Sequence, residues 1–573
     1  MEIERRFSDG IPRATVPYVE RPSLPGGGVH GAARWLTTEE TIAADLYKFG
    51  GVMFGQSSKG YLTYSGDGHS MIVAPPGAGK GVGFVTPNLV CYPGSMIVID
   101  PKGENAAQTA LHRRNVLKQN VFVLDPCGVT GLPSDSYNPL SWLDDTDAKD
   151  FLPELKVFAE AVIESGYGKE TYWTNCARSL FVGLACYLAA HDIEKFNLNE
   201  IYRLTRLPFD QWLQLWKFMA ASASAVPAMQ QLVRDYGAWY LSQHPDHQLY
   251  HLGTVQEATS WMGYEAAARV MGRSDFDIRK LKNKPTTIYV CVHPTQLSAY
   301  RGWFRLIVSQ AIMSVFQSLE KPRNENGSEA APVLFMLDEF ARAVGKMSVV
   351  DDALPQIRQY GGRFAFVLQT IGQLKALYPH DWSTFEEACG LRVYLNSRGE
   401  TAEHVSKRLG PTTVTVPASA GFSQTSRPLL YPQEVTQLGK LSPIAFVEEL
   451  APIMCHRITS HEDKNFKNYL RHFDGARLAL PPDAPLSMLQ QVRAADAGRK
   501  APPTVTPEQK ADLTRLNNGD WGSAAPTSPI FNSADEREAA FLSRLSSRCG
   551  KRVIRNDAGL YGYEENGQFV ELG

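Results

Sequence analysis

The stretch that most limits what this chain can fold into is Met71-Ile-Val-Ala-Pro-Pro-Gly77-Ala-Gly79-Lys80-Gly81-Val-Gly83. An apolar run that breaks into a glycine-rich turn carrying one lysine reads as a buried parallel strand feeding a helix. Ser70 to Ala74 is the expected strand, Pro75 to Gly79 the loop, and Gly81 to Asn88 the opening of the helix. Free backbone N–H groups and a positive dipole end at such a helix start hold phosphate oxygens. Pro76, Gly77, Ala78, Gly79, Lys80, Gly81 and Val82 are therefore the candidate phosphate cradle, with Lys80 on the β- and γ-phosphates. The usual pattern is G-x-x-x-x-G-K-[ST]. Here Ala74 stands at the first glycine, and Gly81 where a magnesium-binding hydroxyl is expected. Taken alone, the stretch is also compatible with an ordinary strand-to-helix turn that needs glycine for its geometry.

The rest of the chain decides between these readings. Gly94 to Glu104 holds a short β-branched run ending at Asp100, and Asn120 to Asp125 repeats the strand-Asp-Pro design. Strand character returns at Thr286–Val292, followed by an expected amphipathic helix from about Tyr300 to Leu319. Pro332-Val-Leu-Phe-Met-Leu-Asp338-Glu339 is a continuous apolar strand delivering two adjacent acids to a sheet edge. Arg363 to Gln369 is another short strand, ending in a polar side chain able to sense a γ-phosphate. Loop, paired acids and glutamine come in the order that an additional-strand P-loop ATPase requires, so the expected cofactors are ATP and Mg²⁺. In this reading Lys80 stabilises the transferring phosphoryl charge. Asp338 holds Mg²⁺ through water, Glu339 orients and deprotonates the attacking water, and Gln369 completes the catalytic set.

Composition narrows the class. A length of 573 residues exceeds a single ordinary domain, and 43% hydrophobic with 21% charged residues are globular values. The net charge of −2 gives no global push toward nucleic acid, so any basic contact surface is local. The eight cysteines are scattered, without the close pairing of a zinc or redox site. No apolar run approaches the ~20 residues of a membrane helix, and nothing resembles a signal peptide, so the chain reads as cytosolic.

Periodicity divides the chain. Residues 1–35 are rich in Pro and Gly and read as an extended arm; 36–149 and 274–479 form the α/β nucleotide-binding domain. Between them, 150–273 carry helical spacing almost throughout, with Trp212, Trp216, Tyr236, Trp239 and Tyr240 fitting either a bundle core or a partner surface. Residues 480–533 lack the apolar density of a core and read as a linker. Residues 534–573 read as a small helix-hairpin module, with Asn566-Gly567 as the hairpin turn.

Together these stretches resemble the type IV coupling proteins of TraG/TraD type, over about residues 30–475. The resemblance rests on His30-Gly-Ala-Ala-Arg34-Trp35, Pro76 to Gly83, Ile99-Asp-Pro-Lys-Gly-Glu104, Tyr137-Asn-Pro-Leu140, Leu337-Asp-Glu-Phe340, Leu368 to Leu374, Glu400-Thr-Ala402 and Arg427-Pro-Leu429. It implies a RecA-like P-loop core with a mostly parallel sheet, interrupted by an inserted all-alpha domain that selects cargo. It further implies a homo-hexamer at the cytoplasmic face of the bacterial inner membrane. Its partners are type IV secretion components, its cargo a relaxase-DNA complex or effector proteins, and DNA contact in the pore is implied as well. Family members usually begin with membrane helices, and glycine after the loop lysine is common among them. In such a ring an arginine from the neighbouring subunit completes the site, and Arg358, Arg363, Arg398 and Arg427 are the candidates. Two other readings are a DNA translocase outside secretion, which needs DNA-stimulated hydrolysis, and a docking platform in which nucleotide only sets ring geometry.

Overall fold

The computed structural model describes residues 30–470, apart from 146–147, 165–169, 223–226, 325 and 419–420, together with 553–555, 561–565 and 568–571. Within residues 1–479, which form one compact unit, the short apolar runs of the central sheet become strands because they are buried on both faces. The strands are β1 (Val52–Gln56), β2 (Tyr61–Tyr64), β3 (His69–Val73), β4 (Met96–Asp100), β5 (Asn120–Leu124), β6 (Thr286–Cys291), β7 (Val333–Leu337), β8 (Gly362–Leu368), β9 (Cys389–Tyr394), β10 (Pro411–Ala418), β11 (Gly421–Pro428), β12 (Ile444–Val447) and β13 (Ile453–Met454). Nine of them form the central sheet in the order β13-β12-β9-β3-β8-β7-β4-β6-β5. From β9 to β5 all neighbours are parallel, whereas β12 and β13 close one edge as an antiparallel pair.

Alternate residues of each strand feed two cores. Met71, Val73, Ile97 and Ile99 face one side; Ile72, Ala74, Met96 and Val98 face the other. The second side is covered by the helices Thr86–Cys91 and Glu104–Asn115 and by the β1–β2 hairpin. The first side carries the helix Arg301–Phe316 and, continuous with it, the core of the helices between β5 and β6.

Those helices run from Ala148–Val162 to Glu265–Met271, with no strand among the described residues between β5 and β6. Trp212, Trp216 and Tyr240 are fully buried, and Tyr236 and Trp239 are half-buried against them, so the aromatic run is bundle core. The helix after β6 departs from the amphipathic expectation. Twelve of its sixteen residues are buried, because it lies between the sheet and the inserted helices with neither face free.

Three further differences concern local geometry. The helix after the glycine loop opens with a π turn, Gly81–Val85, before the α-helix begins at Thr86. The β10–β11 hairpin, paired over eight positions, was not apparent from the sequence. Residues 30–35 are not a free arm: Ala32 pairs with Thr412 of β10, and Trp35 is buried. The rest of the expected arm, the 480–533 linker, the expected 534–545 helix, the Asn566-Gly567 turn and Cys549 lie outside the described residues. The seven described cysteines are free. Among the described residues, no helix is long and apolar enough to cross a membrane. The unit from residue 480 onward shows a three-stranded antiparallel sheet of Val553–Arg555, Tyr561–Glu565 and Gln568–Glu571.

Candidate nucleotide site

Strand order brings the motifs together. β8 lies between β3 and β7, and the parallel registers Val73↔Leu368, Leu337↔Phe366 and Ile99↔Leu337 align the carboxyl ends of four strands. Ala74, Gln369, Asp338 and Asp100 therefore emerge along one edge, the edge where open parallel sheets bind ligands.

The loop after β3 is pinned at both ends. Ala74 donates its N–H to Leu368 O at 2.9 Å, and Gly83 donates to Gly79 O at 2.8 Å. Between them Gly77 and Gly79 take φ of 72° and 95°, the left-handed region that costs glycine least. A Cβ built on Gly77 or Gly81 meets nothing within 4 Å, so the loop presents an open face there. Its other face is closed. Arg457, downstream of β13, donates from Nη1 to Ala78 O at 2.8 Å, and a Cβ on Gly79 would collide with that guanidinium. Arg457 Nε is buried without a hydrogen-bond partner, and burial lowers its pKa. Sequence reasoning missed this residue.

Lys80 reaches across to β7. Its Nζ lies 3.0 Å from Asp338 Oδ1 and 2.5 Å from Glu339 Oε1. Burial opposes the lysine's charge, but the two acids more than offset it and its pKa is raised. For Glu339 burial is likewise outweighed by Lys80 and Gln369, and its pKa is lowered; for Asp338 burial wins over Lys80 and the pKa is raised. Glu339 adopts left-handed backbone at φ 53°, a strained conformation for a residue with a Cβ, and caps the short helix Phe340–Ala343.

Gln369 Nε2 donates to both oxygens of Glu339, at 3.0 and 2.8 Å, while its own N–H is held by Gln373 Oε1 at 2.9 Å. Lys80, Asp338, Glu339 and Gln369 thus form one connected polar group. Beside it Asp100 is fully buried and accepts from Ala106 N–H at 2.8 Å; burial, tempered by that bond and raised further by Asp338, lifts its pKa to about 7. Asp100 and Gly103 therefore build the turn that opens the helix Glu104–Asn115.

The four candidate arginines are dispersed. Arg363 starts β8, at the end of the strand away from Gln369, and its guanidinium is bound to Asp67 at 2.5 Å. Arg427 of β11 is engaged with Glu434 and lies over the Tyr431 ring. Arg358 and Arg398 are exposed, and among the described residues neither side chain makes an ion pair or hydrogen bond. Arg398 follows β9 on the edge that carries the glycine loop; Arg358 precedes β8 on the other edge.

Known proteins can now be set beside this geometry. The chain is 28% identical to Protein VirD4 of Rhizobium radiobacter over 498 residues, covering 80% of this chain and 67% of that protein. It is 26% identical to Conjugal transfer protein TraG of Escherichia coli over 464 residues, covering 72% and 71%. Among solved structures, the plasmid coupling protein TrwB in complex with a non-hydrolysable ATP analogue superposes with a TM-score of 0.57 at 17% identity, over 77% of this chain and 98% of that one. TrwB in complex with ADP and Mg²⁺ gives 0.56 at 17% identity, over 76% and 96%. The shared fold is the RecA-like core. Residues 28–477 match the family described as Type IV secretory system Conjugative DNA transfer, and the chain belongs to that family of coupling proteins.

Proposed function

We propose that the chain is an ATP-hydrolysing coupling protein that recruits relaxase-bound DNA or effector proteins and delivers them to a type IV channel. The observation that carries this reading is the contact of Lys80 with both Asp338 and Glu339, with Gln369 on the same glutamate. A lysine, two acids and an amide gathered at the mouth of a glycine loop suit a shared phosphate ligand.

The residues fit a nucleoside triphosphate with its metal. The open face at Gly77 and Gly81 leaves room for phosphate oxygens beside the loop N–H groups. Bound Mg²⁺ would neutralise charge between the β- and γ-phosphates. Asp338 would hold the metal through water, and Lys80 would exchange its carboxylate partners for phosphate oxygens. Glu339, released from Lys80, would then be free to take a proton from the attacking water. Gln369 orients Glu339 through its paired hydrogen bonds. Arg457 holds the Ala78 carbonyl and so would fix the conformation of the loop that receives the phosphates. Gly81 adds no hydroxyl, so the metal would rely on Asp338, water and the phosphates.

TrwB, which shares the fold, was crystallised with ADP and Mg²⁺, and this supports the cofactor assignment. We further propose, from the resemblance to coupling proteins, a homo-hexameric ring at the cytoplasmic face of the inner membrane, with the inserted helices selecting cargo. In that ring Arg358 or Arg398, whose side chains are not engaged among the described residues, would complete a neighbour's site. Steady-state hydrolysis by Lys80→Ala and Glu339→Gln tests the reading: both should lose turnover and transfer, and the glutamine variant should still bind ATP. Wild-type turnover in either would overturn the assigned roles. Mixing Lys80→Ala chains with Arg358→Ala or Arg398→Ala chains should restore partial activity only for the arginine that acts between subunits.

A further inference from the structure

A second cluster of charge lies away from the nucleotide loop, where the inserted helices meet the first turn of the helix Arg301–Phe316. A cavity of about 450 Å³ opens there, lined by the ends of several inserted helices and by Trp261, Tyr264, Arg301 and Arg305. Arg301 and Arg305 share one helix face, being one turn apart. A Cβ on Gly302 would stand 2.8 Å from Trp261 Nε1, so the indole N–H packs against this same first turn, and all four residues line the cavity.

Several buried donors here lack acceptors. Trp261 and Arg305 are 4% and 5% exposed, and Trp261 Nε1, Arg301 Nε and Arg305 Nε are buried without hydrogen-bond partners. Glu164 is the carboxylate that pairs with the arginines, 3.1 Å from Arg305 and 3.7 Å from Arg301. Burial lowers the pKa of Arg305, and Glu164 offsets part of this; the exposed Glu257 lines the cavity as a second acid. Buried donors with no acceptor cost free energy comparable to a lost hydrogen bond each. An oxyanion satisfies them.

We propose that this cavity binds a small oxyanion, a phosphate or a carboxylate group, gripped by Arg301, Arg305 and the Trp261 N–H, with the ring faces of Trp261 and Tyr264 left to cover an organic body. The site is separate from the glycine loop and does not depend on ATP hydrolysis. Its position gives it leverage: Arg301 Cδ lies 3.7 Å from a Cβ built on Gly345, which closely follows the short helix capped by Glu339.

Calorimetric titration of the full chain tests the proposal. The nucleotide site is first saturated with the non-hydrolysable ATP analogue and Mg²⁺, and inorganic phosphate or succinate is then added at constant ionic strength. One ligand per chain should bind at millimolar concentration or better; whichever anion binds identifies the chemistry, and phosphate would exclude a carboxylate source. Arg305→Met should weaken binding at least tenfold. Trp261→Phe, which keeps the ring and removes the N–H, should weaken it severalfold and serves if the arginine variant misfolds. Failure of both anions to bind at about 10 mM, or binding that neither variant alters, overturns the proposal and leaves water as the partner of these donors.

Discussion

The carboxyl edge of the sheet and the inserted helices are built on opposite plans. At the edge, Lys80, Asp338, Glu339, Gln369 and Arg457 come from four segments spread between positions 80 and 457, and each bonds to another member of the set or to the loop itself. In the insert, Trp212, Trp216 and Tyr240 are near neighbours in sequence and pack ring against ring, with the Trp212 N–H donating to the Tyr240 hydroxyl at 2.7 Å. The first plan spends stability on a cluster of half-buried charges; the second buries aromatic rings that carry no charge. The difference separates residues kept for chemistry from residues kept for folding, and each side can be broken alone.

The largest expected effect is on chemistry. Lys80→Ala should lower ATP turnover by about a thousandfold or more, the scale for removing a group that stabilises transition-state charge, with the far-UV spectrum and melting transition retained. Trp216→Ala should do the reverse. Emptying a fully buried indole site costs about 3–5 kcal/mol, read by denaturant unfolding, while turnover of the fraction that remains folded stays near that of the parent. If Trp216→Ala lost turnover without losing stability, the contrast between the two regions would fail.

The glycine loop sharpens the contrast within a single motif. Gly79→Ala puts a side chain onto left-handed backbone and into the Arg457 guanidinium, so nucleotide affinity should fall at least tenfold by equilibrium binding. Gly81→Ala meets open space, and its affinity should change less than threefold. Arg457→Met should reduce affinity by several-fold with a smaller change in turnover at saturation, and Arg457→Lys should recover part of the loss, since an ammonium can still donate to Ala78 O.

Asp100 provides the smallest and most specific effect. Its folded pKa of about 7 stands above the ordinary value near 4, so its contribution to stability is full below about pH 4 and is lost as pH rises to 7. Asp100→Asn keeps an oxygen to accept from Ala106 N–H and removes the charge. The melting temperature of the variant should therefore gain on the parent between pH 5 and pH 8, and an unchanged difference across that range would count against a buried, titrating Asp100.

Much of the edge was legible because each of its motifs sits at the end of an apolar run, where a parallel strand must deliver its last residue to the sheet rim. Asp338-Glu339 after Val333–Leu337 and Gln369 after Gly362–Leu368 are of this kind. Arg457 was not, because nothing local marks a lone basic residue in coil, and its partner Ala78 lies 379 positions away. The β10–β11 ribbon escaped for another reason. Most of its described residues are exposed or half-exposed, and without a buried face the alternation of apolar and polar residues that announces a strand is weak. The helix Arg301–Phe316 was found but misjudged, since its polar positions Ser309 and Gln310 are buried in packing supplied by distant segments. The cavity beside Arg305 depends on the same packing.

That helix also settles how the inserted helices must be handled. Its side chains belong to one continuous apolar cluster with Ile97, Ile99 and Leu124 of the sheet and Leu180, Trp212 and Trp216 of the insert. Excising residues 150–273 would strip both halves of a shared interior, so the insert is not a cassette to be cloned away from the sheet. The proposed cargo capture is therefore best sought with the whole chain.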